Sequence, residues 1–181
     1  MNTTGKLLVA SPLMGDVNFD RAVIFVITHG DEGAIGLILN QPTKESLGSL
    51  LPHWENENFE NSTVFCGGPV DTNSAMGLGR FVGETDNSST FIFANIGVLD
   101  LGLGPKELPT SLVDLRPYIG YSGWGPMQLE AELAANAWFV VDVDPQDIFR
   151  EKTEDLWSMV LRRQEGPMSW LSNYPPDPRV N

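Results

Sequence analysis

Short apolar runs broken by glycine, proline and asparagine dominate this chain, and they predict strands more often than helices. Leu7-Leu8-Val9-Ala10, closed by Ser11-Pro12, reads as a buried strand. Ala22 to Thr28 is β-branched and aromatic, which suits a central strand. His29-Gly30-Asp31-Glu32-Gly33 is turn chemistry, and Ala34 to Leu39 returns as the second arm of a hairpin. Asn40-Gln41-Pro42 ends that arm, because proline donates nothing to a ladder. The same reasoning predicts strands at Thr63 to Cys66, Ala75 to Val82, Phe91 to Ala94, Pro117 to Tyr121 and Trp138 to Val141. Gly97 to Gly104 alternates leucine with glycine and fits neither class.

Helical spacing is confined to a few segments. Pro126 to Ala137 is the clearest, with Leu129, Leu133 and Ala137 on one face. Thr153 to Gln164 follows, with Thr153 as its cap and Leu156, Trp157, Val160 and Leu161 as its buried face. Ser46 to Leu51 predicts a short helix. Residues 52–62 and Asp86-Asn87-Ser88-Ser89 predict exposed loops. Tyr174-Pro175-Pro176-Asp177-Pro178 predicts an extended tail. With 181 residues, the chain fits a single domain at ~100–200 residues per domain. We expect that domain over 1–166 and the tail over 167–181.

Charge narrows the partners. The formal net charge is −13, from 11 basic and 24 acidic residues. Duplex binding depends on cations that release phosphate counterions, so direct nucleic-acid binding is not expected. Anionic membrane surfaces are disfavoured in the same way. Arg150, Lys152, Arg162 and Arg163 are the candidate basic face, and acidic neighbours dilute it. The start lacks a basic segment followed by a long apolar stretch, and the run Ala22 to Ile27 is too short to span a bilayer. A cytoplasmic location is therefore expected. One cysteine excludes an internal disulfide, and with two histidines it disfavours a zinc site. We expect no metal and no cofactor.

The densest local signal is Gly120-Tyr121-Ser122-Gly123-Trp124-Gly125-Pro126-Met127-Gln128-Leu129-Glu130. It reads as a strand end, a glycine turn and a helix start, whose first N–H groups could face a polar ligand. Gln128 and Glu132 are four apart and share a helix face, whereas Glu130 diverges from Glu132. One reading places Gln128 in a polar cleft beside Trp124; the other makes Gln128 a cap-type residue and Trp124 a packing anchor. Cys66 precedes Gly67-Gly68, whose N–H groups could serve a thiolate, but only His29 and His53 could act as its base, and both fall in apparent loops. An inert buried cysteine is the expected outcome. Ser122 misses the G-x-S-x-G nucleophile spacing, because residue 124 is tryptophan. Gly77-x-Gly79-x-x-x-Gly83 misses the dinucleotide fingerprint by one residue. Asp16, Asp20 and Arg21 could cluster before the second strand, with a surface ion pair or cap as the plainer reading. No catalytic residue is assigned.

Taken together, these blocks resemble the YqgE/AlgH family. The matching residues are Gly5-Lys6-Leu7-Leu8-Val9-Ala10-Ser11-Pro12 with Asp16, Phe19 and Arg21. They continue with Gly33-Ala34-Ile35-Gly36-Leu37-Ile38-Leu39-Asn40-Gln41-Pro42 and Gly67-Gly68-Pro69-Val70. Arg116, the Gly120 to Glu130 block and Trp138 complete the set. The resemblance implies one compact α+β domain with a mixed, mostly antiparallel and partly closed sheet flanked by helices. It assigns no reaction, and some family members carry a transcriptional-regulator label. Family-matched positions are mostly Gly, Pro, Asn and aromatic residues, which shape backbones and pockets more than they break bonds. We therefore expect Asn40, Gly67, Gly68, Gly123, Trp124 and Gln128 to gather at strand ends, and these residues with Arg116 to bind a ligand. The leading expectation is a binding or regulatory module for a small molecule or protein. An enzyme with a polar cleft around Asn40, Arg116 and Gln128 is the alternative, and a transcriptional regulator the second.

Overall fold

The computed structural model describes residues 2–82 and 91–175. The expected loop at Asp86 to Ser89 and the last part of the tail lie outside the described residues. Ten strands form one sheet: β1 (Lys6–Ala10), β2 (Val23–Gly30), β3 (Gly33–Ile38), β4 (Pro42–Ser46), β5 (Thr63–Cys66), β6 (Val70–Phe81), β7 (Phe91–Phe93), β8 (Ile96–Asp100), β9 (Leu112–Trp124) and β10 (Trp138–Asp142). Five short helices accompany it: α1 (Leu47–Leu50), α2 (Gln128–Ala134), α3 (Pro145–Ile148), α4 (Leu156–Arg162) and α5 (Pro167–Leu171). The main ladder runs β10-β1-β2-β3-β9-β6-β8-β7, and β4 and β5 branch from β9. Only β5 on β9 is parallel among the described pairings. The ends β10 and β7 do not pair, so the sheet is not closed among the described residues. This is an α+β domain with a mostly antiparallel sheet.

Side-chain alternation explains the core. Leu7 and Val9 point to one face, where Phe25, Leu37 and Tyr118 meet Leu156, Trp157, Val160 and Leu161 of α4. Leu8 and Ala10 point to the other, where Ile24, Val26, Ile38, Trp124 and Trp138 meet Leu129 of α2. The β1 run is apolar throughout because both of its faces are covered. A smaller group, Leu47, Trp54, Leu101 and Leu115, packs beneath the α1 region.

β9 joins the two halves of the sheet. Its end, Ser122 to Trp124, pairs with β3, its longer part pairs with β6, and Tyr118 and Ile119 also meet β5. The sequence pattern predicts only Pro117 to Tyr121 of this strand. Its flanks escape because β-propensity is weak in Arg116-Pro117 and in the glycine-rich end, and cross-strand pairing supplies what propensity does not.

Other departures have local causes. Pro42 opens β4 instead of merely ending β3, since proline is tolerated as the first residue of a strand. α2 begins at Gln128, because Met127 sits at φ 62 and cannot continue a helix back to Pro126. Thr153 serves α4 through its backbone carbonyl, which accepts from Leu156 N–H at 3.1 Å, and not as a side-chain cap. α3 is set by Asp144 and Asp147, whose carboxylates accept from Gln146 N–H at 2.9 Å and Asp144 N–H at 3.2 Å. The tail expected to be extended from 167 starts as helix α5. Pro167 stands at its first turn, and Met168, Leu171 and Tyr174 pack on the α4 side of the core. Among the described residues no helix is long and apolar enough to cross a membrane.

Backbones also approach closely where Gly67-Gly68 passes β9. Gly68 has φ +150, and a Cβ there would lie against the backbone of Tyr121 and Ser122. We expect Gly68→Ala to cost roughly 2–4 kcal/mol in urea unfolding. Gly30→Ala, where a Cβ meets nothing within 4 Å, should stay within about 0.5 kcal/mol of the parent.

Candidate functional site

The helix start predicted as the site does build one wall of a pocket. The strand end of β9 delivers Gly123 and Trp124, and the first turns of α2 deliver Gln128 and Glu132. Trp138 at the head of β10, Phe19, and the loop from Ser11 to Asp16 complete a cleft of about 550 Å³. Its floor is aromatic. Trp124 and Trp138 meet edge-to-face with centroids 5.9 Å apart, and Phe19 packs on them at 6.5 and 5.5 Å. Leu13, which lines it, is 79% exposed.

One carboxylate organises this pocket. Glu132 Oε2 accepts from Trp124 Nε1 at 2.8 Å and from Trp138 Nε1 at 2.7 Å, while Oε1 accepts from Gln128 Nε2 at 2.9 Å. Gln128 Oε1 in turn accepts from Gly125 N–H at 3.0 Å. Both indoles and the glycine turn are thus fixed by a single bonded chain. Gln128 thus accepts from the turn that precedes α2 and also lines the cleft.

The remaining expected site residues are elsewhere. Gly67 lies under β9: its N–H donates to Ile119 C=O at 2.9 Å, and its carbonyl accepts from Ile38 N–H at 3.0 Å and Ser122 Oγ at 3.0 Å. Gly68 follows in the same crossing. Asn40 is a backbone brace: Oδ1 accepts from Val23 N–H at 2.9 Å, and Nδ2 donates to Arg21 C=O at 2.9 Å. Arg116 lines a different cleft of about 590 Å³, with Thr63, Phe65, Glu151 and Glu154. Asn40, Arg116 and Gln128 therefore do not share one cleft, and the enzyme drawn around those three loses its geometry.

The nucleophile readings also meet physical obstacles. Ser122 is fully buried and donates to Gly67. Cys66 is half-buried with Sγ 3.8 Å from Gly68 C=O. His29, expected in an exposed loop, is buried in β2: Nδ1 accepts from Thr3 N–H at 3.3 Å and Nε2 donates to Glu130 Oε1 at 3.0 Å. His53 Nε2 donates to Leu101 C=O at 3.1 Å. Asp16, Asp20 and Arg21 do not cluster: Asp16 accepts from Asn18, and the Arg21 guanidinium lies 4.5 Å over the Trp157 ring. Among the described residues no three His, Cys, Asp or Glu side chains converge as metal ligands.

A family profile described as AlgH-like matches residues 7–169. The chain belongs to the AlgH-like family. A UPF0301 protein of Streptomyces coelicolor is 40% identical over 183 residues, covering 98% of this chain and 95% of that protein. One from Cytophaga hutchinsonii is 36% identical over 185 residues, covering all of both. The crystal structure of a Corynebacterium diphtheriae protein matches at TM-score 0.82 and 26% identity, over 95% of this chain and 92% of that one. The solution structure of the AlgH protein from Pseudomonas aeruginosa matches at TM-score 0.70 and 26% identity, over 97% and 95%. None of these descriptions names an activity, so the AlgH-like family fixes the fold and leaves the molecular function undefined.

Sequence reasoning missed the two residues that most define the pocket in this AlgH-like chain. Glu132 was legible only as the helical partner of Gln128. Trp138 was legible as the first residue of a strand and as a family-matched position, but not as part of a cleft. That one carboxylate reaches two indoles from different strands is a tertiary fact, with no local spacing to signal it.

Arg116 and Tyr118 raise a separate matter. Tyr118 is fully buried, and neither its hydroxyl nor Arg116 Nη1 has a hydrogen-bond partner of good geometry among the described residues. The Arg116 guanidinium stacks 4.3 Å over Phe65 and donates through Nη2 to the Arg150 carbonyl. Burial pushes the Tyr118 hydroxyl well above its usual range, with the nearby guanidinium opposing, and burial also lowers Arg116.

Two outcomes follow from these contacts. Glu132→Ala should strip both buried indole N–H groups of their acceptor and cost roughly 2–3 kcal/mol in urea unfolding, with Glu132→Gln costing less; indole N–H resonances of Trp124 and Trp138 should shift in both. For Tyr118 the folded-state value lies above the unfolded one, so its contribution is complete below about pH 10 and is lost as pH rises toward the folded value. Stability should fall on alkaline titration above that point, and Tyr118→Phe should flatten the fall. An unchanged slope in the Phe variant would contradict this origin.

Proposed function

We propose that this chain is a cytoplasmic binding or regulatory module whose recognition site is the pocket floored by Phe19, Trp124 and Trp138. The observation that carries the reading is the Glu132 chain, which holds two indoles and the Gln128 turn in place before any ligand arrives. A pre-organised aromatic floor with a few fixed polar groups is the usual composition of a binding pocket. The exposed Leu13, which lines it, adds apolar contact area.

The regulator reading is best carried without direct DNA contact. Of the four residues offered as a basic face, Arg150 bonds to Asp155 at 3.2 Å and Arg163 to Asp147 at 2.9 Å. Cations already committed to carboxylates contribute little to phosphate neutralisation. A salt-series titration with duplex DNA should show no saturable binding tighter than roughly micromolar.

The pocket itself is tested by NMR titration of a panel of amines, aromatic acids and short peptides. Ligands that occupy it should shift the Trp124 and Trp138 indole N–H signals together. Ala135→Trp, which plugs the α2 wall, should weaken those ligands by about tenfold or more and leave stability within about 0.5 kcal/mol of the parent. Binding that persists undiminished in the plugged variant would place recognition elsewhere.

A further inference from the structure

The pocket opens onto an unpaired strand edge. Among the described residues β10 is the end of the ladder and pairs with β1 alone. The phase of that pairing is fixed by Ser11 N–H, which donates to Ala137 C=O at 2.8 Å, with Ala10 opposite Trp138. Hydrogen-bonded pairs alternate with non-bonded pairs in an antiparallel ladder. Phe139 and Val141 therefore turn their N–H and C=O groups toward β1, whereas Trp138, Val140 and Asp142 turn theirs outward. The outward Asp142 carbonyl accepts from Arg163 Nη2 at 3.2 Å, which agrees with this phase and closes that end of the edge. Trp138 and Val140 keep an outward N–H and C=O each, on the side where no strand lies among the described residues.

The side chains of Trp138 and Val140 share the face that carries Trp124 and Leu129, while Phe139 and Val141 pack on the opposite face. Residues directly opposite each other on paired strands project to the same face. A guest residue paired with Trp138 or Val140 would therefore project on the pocket's own face.

Charge selects the occupant. Asp16 and Glu132 line the pocket, and no lysine, arginine or histidine does among the described residues. Asp142 at the far end of the edge is already paired with Lys6 at 2.5 Å, and Asp144 stands just beyond it. A second copy of this chain would bring another charge of −13 to the same acidic edge, and two-fold pairing about Val140 would set each Asp142 beside the other copy's pocket. A basic segment is complementary instead. A long cationic side chain offers an apolar stem for the aromatic floor and a charged head for the carboxylates.

We infer that the ligand of this pocket is an extended basic peptide segment, which adds to the sheet along the Trp138–Val140 edge of β10 and lays an arginine or lysine side chain over the Phe19, Trp124 and Trp138 floor. Backbone pairing supplies affinity and the pocket supplies the choice of side chain, as in other strand-addition complexes. The inference rests on the reading of this pocket as a recognition site.

The test is an NMR titration of the full chain with a short peptide that alternates arginine and threonine. The Val140 amide and the Trp124 and Trp138 indole signals should move together and saturate. An acidic twin, with glutamate for arginine, should bind about tenfold more weakly or worse. A twin N-methylated at alternate backbone nitrogens should lose the Val140 shift. That peptide variant probes the edge without the risk that Val140→Pro unfolds the protein. Equal binding by the acidic or the N-methylated twin overturns the inference. Indole shifts without a Val140 shift overturn strand addition and leave the pocket reading standing. If neither moves with the basic peptide or with the small-molecule panel, both fail. Concentration-dependent movement of Val140 in the protein alone assigns the edge to a second copy and overturns the peptide.

Discussion

The fold depends on one close crossing of backbones, where Gly67-Gly68 passes beneath Gly120 to Ser122 of β9. Added Cβ atoms at Gly67, Gly68 or Gly120 would each meet main-chain atoms of the opposing segment. The proximity lets Gly67 bond to Ile119, Ile38 and Ser122 at once. These bonds tie β5, β3 and β9 together at the junction of the two halves of the sheet. With a side chain in the crossing, β9 could not serve β3 at one end and β6 along the rest of its length. The glycines flanking the crossing are therefore structural, and the family-matched Gly-rich blocks acquire a physical meaning that requires no ligand.

Positioning of the pocket follows from the same junction. β9 ends at Trp124, and its pairing with Ala34 fixes where that indole emerges. The chain then turns through Met127 in a left-handed conformation and starts α2. This turn brings Glu132 back over both indoles. The polar chain from Gly125 through Gln128 to Glu132 also resolves a difficulty, since two nearly buried tryptophans would otherwise leave N–H donors without acceptors. The groups that satisfy the core are thus the same groups that shape the cleft.

Legibility in the sequence tracked how local each determinant is. The strands with apolar, β-branched runs, such as Leu7–Ala10 and Val23–Val26, were legible because both faces are buried and every position carries the signal. The ends of β9 and the helix α3 were not, since cross-strand pairing and a pair of aspartates define them. For the site, Gly123, Trp124 and Gln128 were legible together because they are adjacent on one strand–turn–helix segment. Asn40 and Arg116 were grouped with them by residue type alone, and tertiary structure separates them. Asn40 replaces a missing ladder partner for Val23 and Arg21, which is a common reason for an asparagine at a strand end. His29 illustrates the opposite error: flanking turn residues suggested exposure, but β2 runs on to Gly30 and buries the ring between Thr3 and Glu130.

The acidity of the chain has a structural consequence beyond solubility. An edge strand with the sequence Trp138-Phe139-Val140-Val141-Asp142 is largely apolar, lacks proline and has one side without a strand partner among the described residues. Such edges invite pairing with other copies, and proteins usually blunt them with charge or cover. Here the strand's own charge is confined to Asp142, already paired with Lys6 at 2.5 Å. Protection from self-pairing must then come mainly from the field of the whole molecule, which repels every other copy alike. A field of that kind leaves the edge chemically intact. It discriminates by the charge of the approaching strand and not by its hydrogen-bonding capacity. The same device that would keep an apolar edge from self-association leaves the inferred cationic strand unopposed, beside a pocket lined by Asp16 and Glu132 and by no lysine, arginine or histidine among the described residues.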